Sequence, residues 1–282
     1  MSLRALLTTI LCVLLLGPPA VAVAPDTSAD HRPPRPPVSV RVASFNVLGS
    51  NHTVRSHSWR PGRARAKIAR RWLRNERVGI AGLQEAQVDQ LRVLTRKRWR
   101  SFPDPRHARS TETAQSVIWR RSRWRMVEAH RFAIPFARGQ QRLQPVVRLQ
   151  HRRTGRQVWV VSVHMSAERG RRGAHERRVG RARLVRVVRH LERTHHPVVV
   201  TGDMNDHRRV FCALTGRTRL VAASGGSNGA DGCRTPDWMH VDWIFGSRSI
   251  SWEDFRFRDG VWLDAITDHV VPVVRATLGG RR

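Results

Sequence analysis

The run Val198-Val199-Val200-Thr201-Gly202-Asp203-Met204-Asn205 limits what this chain can fold into more than any other stretch. Consecutive β-branched residues fit a strand buried on both faces, and such strands lie at the centre of layered α/β architectures. The strand ends abruptly in a carboxylate and an amide, at the edge where open α/β sheets present polar chemistry. If extended backbone continues through Met204, alternation puts Asp203 and Asn205 on one side. Taken alone, the run also fits a Gly-Asp turn with Asn205 capping a following helix. Companions at other strand ends favour a site instead: Asn46 in Ser44-Phe45-Asn46-Val47, Glu85 after Leu83-Gln84, His164 in Val161-Ser162-Val163-His164, and Asp268-His269 after Thr267.

Hydrophobic patterning supplies the frame around these landmarks. Strands are expected over residues 38–46, 78–85, 116–119, 124–129, 145–150, 158–164, 197–205, 239–245 and 269–277. Helical spacing of apolar residues marks 61–77, with Pro61 at its start, 88–98, and 174–193, where Leu184, Val187, Val188 and Leu191 recur on one face. Strand-helix-strand units mixed with hairpins predict an α+β fold, an α/β sandwich of two mixed, mainly antiparallel sheets packed face to face and flanked by helices. One domain over 38–280 accommodates all of this.

In chain order the landmarks are Asn46, Glu85, His164, Asp203, Asn205, Asp242, Asp268 and His269. This ordered set resembles the endonuclease/exonuclease/phosphatase superfamily, and is most similar to its secreted deoxyribonuclease I-like members. The resemblance implies a metal-dependent phosphoric ester hydrolase using Mg²⁺, with Mn²⁺ or Ca²⁺ as alternatives. It implies Glu85 as metal ligand, Asn46 in the metal shell or on a phosphate oxygen, and Asp268 as a further metal-shell or orienting carboxylate. A hard divalent ion needs only one or two carboxylates beside amides and water. Asp203 then orients the attacking water, Asn205 holds the phosphate, and Asp242 pairs with His269 for acid/base work or phosphate stabilisation. His164 works opposite His269, and Glu112 is the one near candidate for its partner. The chain has no tyrosine, which sets it apart from the repair branch resembling exonuclease III.

Residues 5–24 are almost wholly apolar behind Arg4, broken by Gly17-Pro18-Pro19 and followed by small residues, as in a secretory signal peptide over 1–24; an uncleaved membrane anchor is the rival reading. A Pro-rich tether is expected over 25–37. Cys12 falls within the leader, leaving Cys212 and Cys233, which in an exported protein form a structural disulfide around a Gly-rich loop.

The formal charge of +31 favours polyanions: DNA, teichoic-type polymers, anionic lipid or inositol phosphates. All basic residues except Lys67 and Lys97 are arginine, a bias that base composition alone can also produce. Arg106, Arg109, Arg138, Arg171, Arg172 and Arg208 are loop candidates for a basic groove; Trp59, Trp99 and Trp238 are candidates for stacking or for the core. His52, His57 and His240 read as surface residues or as support behind the site. A monomer is expected, with no obligate protein partner. Three functions follow: a secreted nuclease acting on DNA, a phosphodiesterase or phosphatase acting on phospholipid or inositol phosphate, and a non-catalytic polyanion-binding protein.

Overall fold

The computed structural model describes residues 35–279; the expected leader and most of the Pro-rich segment lie outside them. The first half of the chain runs β1 (Val38–Asn46), α1 (Gly62–Asn75), β2 (Val78–Gln84), α2 (Val88–Leu94), β3 (Trp99–Phe102), α3 (Ser110–Thr113) and β4 (Gln115–Arg120). It continues through β5 (Trp124–Phe136), β6 (Gln140–His151), β7 (Gln157–His164), α4 (Gly170–Glu192), β8 (Val198–Asp203) and α5 (Arg208–Arg217). The remainder is β9 (Leu220–Ala222), β10 (Ser227–Gly229), β11 (Gly232–Arg234), β12 (Asp242–Ser247), β13 (Ile250–Arg258), α6 (Val261–Asp264) and β14 (Val271–Leu278).

Two six-stranded sheets form, ordered β13-β14-β1-β2-β4-β3 and β5-β6-β7-β8-β12-β9, with β10 and β11 as a separate hairpin. Pairing is antiparallel except for β1 with β2 and β7 with β8. Each parallel pair is closed by a crossover helix, α1 or α4, as parallel pairing requires. Val40, Val42, Ile80, Trp124, Val147, Val199 and Ile244 fill the layer between the sheets. The outer face of the first sheet packs Phe45 and Leu83 on Trp72, Leu73 and Leu91 of α1 and α2. The second packs Val161, Val163 and Val200 on Leu184, Val188 and Phe211 of α4 and α5.

The sheets approach each other closely at Gly82 of β2. A Cβ at Gly82 would lie 1.8 Å from Thr201 Oγ1, so only glycine permits this contact. Beside it the Ser162 hydroxyl donates to the Leu83 carbonyl at 3.0 Å and accepts from Gln84 Nε2 at 3.1 Å. The layer beneath the strand ends is therefore pinned by polar as well as apolar contacts. A disulfide joins Cys212 on α5 to Cys233 on β11, as the cysteine pattern predicts.

Several boundaries differ from the sequence reading. The central strand stops at Asp203 and does not extend to Asn205, because the Met204 N–H turns to the Val241 carbonyl. Asn205 then takes a left-handed conformation, φ +42°, so it does not share a strand face with Asp203. His269 lies in the loop before β14, which begins at Val271.

Candidate active site

The two parallel pairs deliver their carboxyl ends to one place. Asn46 is the last residue of β1, Glu85 follows β2, His164 ends β7 and Asp203 ends β8. Antiparallel pairing of β12 with β8 sets Asp242 directly opposite Asp203. His269 enters from the loop before β14.

The Asn46 amide is the hub. Its Nδ2 donates to Glu85 Oε1 at 3.1 Å and to Asp203 Oδ2 at 3.1 Å, and lies 3.3 Å from His269 Nε2. His269 Nδ1 is 2.7 Å from Asp242 Oδ2, and its Nε2 is 3.7 Å from Asp203 Oδ2. His164 Nε2 stands 3.3 Å from the same Asp203 oxygen, while Asp203 Oδ1 accepts from the Asn205 N–H at 3.0 Å. Glu85 Oε2 accepts from the Gly49 N–H at 3.0 Å and has His52 Nε2 at 3.6 Å. A cavity of about 250 Å³ opens over Glu85 and His164, with His52, Phe136 and Arg142 in its wall.

Burial and pairing divide the charges. Burial opposes charge on His269, but the hydrogen bond and charge of Asp242, helped by Asp203 and Asp268, outweigh it and raise its pKa to about 9. Asp242 is pushed up to about 7 by burial, with Asp203 adding like charge and the bond to His269 offsetting part of the shift. At neutral pH the pair therefore holds a proton on the imidazole, with Nε2–H free to face a ligand. Burial pushes the His164 pKa down despite Asp203 and Glu85. Its ring Nε2 lies 3.3 Å from Asp203 Oδ2, and the buried Nδ1 has no partner among the described residues. Glu85 lies below the ordinary carboxylate range: burial raises it, but His164, the Gly49 N–H, the Asn46 amide and His52 lower it more.

The loops bearing these groups are held in uncommon conformations. Leu48, Glu85 and Asn205 all have positive φ, at +49°, +64° and +42°, which bulky residues adopt only where the surroundings enforce it. Arg65 of α1 supplies much of that enforcement. It is fully buried, and its guanidinium donates to the carbonyls of Val47, Leu48, Arg60 and Ile266 and to Thr53 Oγ1. Thr267 adds a second tie, its hydroxyl donating to the Asn46 carbonyl at 2.8 Å and accepting from the His269 N–H at 3.2 Å.

The sequence profile described as "Endonuclease/Exonuclease/phosphatase family" matches residues 43–269, a span bounded by β1 and His269. The chain belongs to this family. Its members are phosphoric ester hydrolases, generally dependent on a divalent metal. The fold is similar to that of a mannosyl-6-phosphatase from Bacteroides thetaiotaomicron, at 17% identity and TM-score 0.62, covering 84% of this chain and 99% of that one. It is similar to the human nocturnin catalytic domain with bound sulfate, at 17% identity and TM-score 0.63, over 87% and 99% of the two chains. A third similar structure is D. rerio TDP2 complexed with single strand DNA product, at 14% identity and TM-score 0.60, over 85% and 98%. No curated protein sequence matches the chain at a significant level.

Within this family frame, most residues singled out in the sequence meet at the hub, and some do not. Glu112 does not reach His164: as part of the single turn α3 it accepts from the Arg109 N–H and pairs with Arg131 at 2.9 Å. Asp268 is exposed and makes no hydrogen bond or ion pair among the described residues; it acts on His269 only through charge. Asn205 turns its side-chain amide away, donating to the Met165 carbonyl at 2.9 Å. Among the described residues, Asp203, Asp242 and His269 bring ligand atoms within 4.8 Å of one another, a cluster that differs from the expected ligand set of Asn46, Glu85 and Asp268. Trp99 is core, 2% exposed, whereas Trp238 is 55% exposed against Phe255 and Phe257. Arg65, Arg142 and Thr267 were not singled out; one arginine among so many carries no pattern of its own.

Proposed function

We propose that this chain is an exported, divalent-metal-dependent phosphodiester hydrolase acting on nucleic acid, most simply an endonuclease on DNA. The observation that carries this reading is the single network in which Asn46, Glu85, His164, Asp203, Asp242 and His269 lie within hydrogen-bonding reach of a neighbour. Export rests on the apolar N-terminal stretch and agrees with the disulfide.

The donor set fits a hard cation. Two carboxylates, Glu85 and Asp203, accept from the Asn46 amide, and the buried Oδ1 of Asp242 has no partner among the described residues. Mg²⁺ takes oxygen ligands, so Glu85 would hold it, with Asn46 joining through Oδ1, which here accepts from the Leu48 N–H, once its amide turns over; the imidazole of the Asp203/Asp242/His269 cluster suits softer ions and is engaged with Asp242. The metal would polarise the phosphoryl oxygen and stabilise developing charge. Asp203, oriented by Asn46, His164 and the Asn205 N–H, is placed to accept a proton from the attacking water. The imidazolium of His269, fixed by Asp242, presents Nε2–H to a phosphate oxygen. Arg142, lining the cavity and acting electrostatically on Glu85, adds a fixed positive charge for the phosphate.

The net charge of +31 favours a polyanionic substrate, and a fold neighbour holds single strand DNA product. Exposed Trp238, Val261 and Trp262 give a lipid or small phosphoester a place in the test. Purified chain is assayed with supercoiled plasmid, RNA, sphingomyelin and inositol phosphates under Mg²⁺, Mn²⁺ and Ca²⁺. The reading expects plasmid nicking with Mg²⁺ and none in EDTA; turnover of lipid or inositol phosphate with untouched plasmid would replace it.

A further inference from the structure

The amino ends of β2 and the carboxyl end of β4 face away from the catalytic hub, and there α1 and the α2–β3 turn enclose a cavity of about 600 Å³. Lys67, Arg70, Arg71 and Arg74 line it from α1. Arg96, Lys97 and Arg98 line it from the turn, and Arg120 from β4. No carboxylate is in the wall, and none of these eight cations forms an ion pair among the described residues. Glu76, the acid nearest α1 in sequence, pairs instead with Arg41 and Arg258. Leaving so many like charges together is unfavourable: burial, Arg98 and Arg74 all work against the charge on Arg120.

A general arginine bias would spread cations over every surface. It does not explain why the only two lysines of the chain, Lys67 and Lys97, meet in one cavity. Two further hollows follow along edge strand β3, the first adjoining the cavity and the second adjoining the first. One shares Arg96 and Trp99 and reaches Arg106, which is paired there with Asp104 at 2.6 Å; the other borders that one at Arg100 and takes in Arg121, Arg125 and Arg152. The loop that continues from Arg106 leads to Ser110 and Thr111 in the wall of the catalytic cavity. From Val78 to Gln84 the strand spans about 20 Å, the axial rise of roughly six base pairs. Trp99 lies sealed beneath Arg120 and offers no face to a base.

We infer that this cavity and its neighbours form a track for the phosphate backbone of nucleic acid extending from the catalytic site, gripping it by charge without reading base sequence. The inference rests on the reading of the chain as acting on nucleic acid. It makes the exposed cations at the far end of the first sheet a second contact region for the same polymer.

The test is binding of a fluorescent DNA duplex in EDTA over a range of salt. One variant combines Lys67→Gln, Arg71→Gln, Arg74→Gln and Lys97→Gln, all at exposed positions. A control of equal charge loss combines Arg178→Gln, Arg186→Gln and Arg189→Gln of α4 with Arg193→Gln at its C-cap, all at exposed positions. The cavity variant should bind at least about tenfold more weakly, and its slope of log Kd against log salt should fall by about 3, while the control stays near wild type. Equal losses in both variants would mean bulk charge alone, and no loss in the cavity variant would mean no contact; either overturns the inference. Inorganic polyphosphate is the comparison ligand, and loss of its binding without loss of duplex binding overturns the assignment to nucleic acid. Because no metal is present, absence of nicking bears on the catalytic reading alone.

Discussion

At the end of β2 that leads into Glu85, acids, amides and imidazoles sit within hydrogen-bonding distance of one another, whereas at the end that starts with Val78 eight cations face a cavity without a carboxylate. Both ends belong to one buried strand, so the scaffold is the same and only the side chains differ. The first end shields its charges in a low-dielectric network where each partner fixes the next. The second leaves them in water, where they act at a distance and weaken with salt. Reaction chemistry needs the first arrangement and capture of a polyanion needs the second.

The largest effect expected from breaking this contrast comes at the buried end. His269→Ala should slow plasmid nicking by about 10²- to 10⁴-fold, the usual contribution of a positioned acid or base, with circular dichroism unchanged. A rate within a factor of a few of wild type would remove His269 from the mechanism. Arg65→Leu comes next. It leaves the carbonyls of Val47, Leu48 and Ile266 without their buried donor and should cost about 3 kcal/mol in urea unfolding. Lys67→Gln or Arg71→Gln at the exposed end should stay within about 0.5 kcal/mol, and equal costs at both ends would dissolve the distinction.

A pH titration sharpens the same comparison. In metal-free protein the pKa of His269 is raised to about 9. Such a group contributes its full stability below its unfolded value of about 6.5, and that contribution is lost as pH rises through about 9. Unfolding free energy should therefore fall over this window in wild type and fall less in His269→Ala; ring-proton NMR of His269 should show the matching midpoint. Replacing both Cys212 and Cys233 by serine should cost about 3 kcal/mol by the loop-closure account, with nicking retained below the unfolding temperature, since the bridge joins α5 to β11 and contacts neither end of β2.

Much of the site was legible because it sits where buried apolar runs stop. Val198–Asp203 and Val78–Gln84 announce themselves by their apolar composition, and the carboxylates Asp203, closing the first, and Glu85, following the second, are the ones that meet at Asn46. What sequence missed depended on local backbone choice. Asn205 seemed to continue a strand, yet the Met204 N–H was claimed by Val241 and the chain turned. Glu112 had the right neighbourhood for His164, but its position in α3 committed it to the Arg109 N–H and to Arg131. β13 escaped because a bulge between Glu253 and Arg256, with Asp254 at φ +54°, breaks its alternation. Arg65 was invisible for a different reason: only three-dimensional structure separates a buried clamp from an exposed arginine of the same chain.

The central claim is that groups from both sheets form one hydrolytic centre around Asp203. The most direct measurement is the initial rate at which Asp203→Asn converts supercoiled plasmid to nicked circles in Mg²⁺, beside wild type with and without EDTA. The account predicts nicking by wild type, loss of it in EDTA, and a fall of about 10³-fold in the variant with its fold intact. An Asp203→Asn chain that nicks at the wild-type rate, or a wild-type rate indifferent to EDTA, would contradict it.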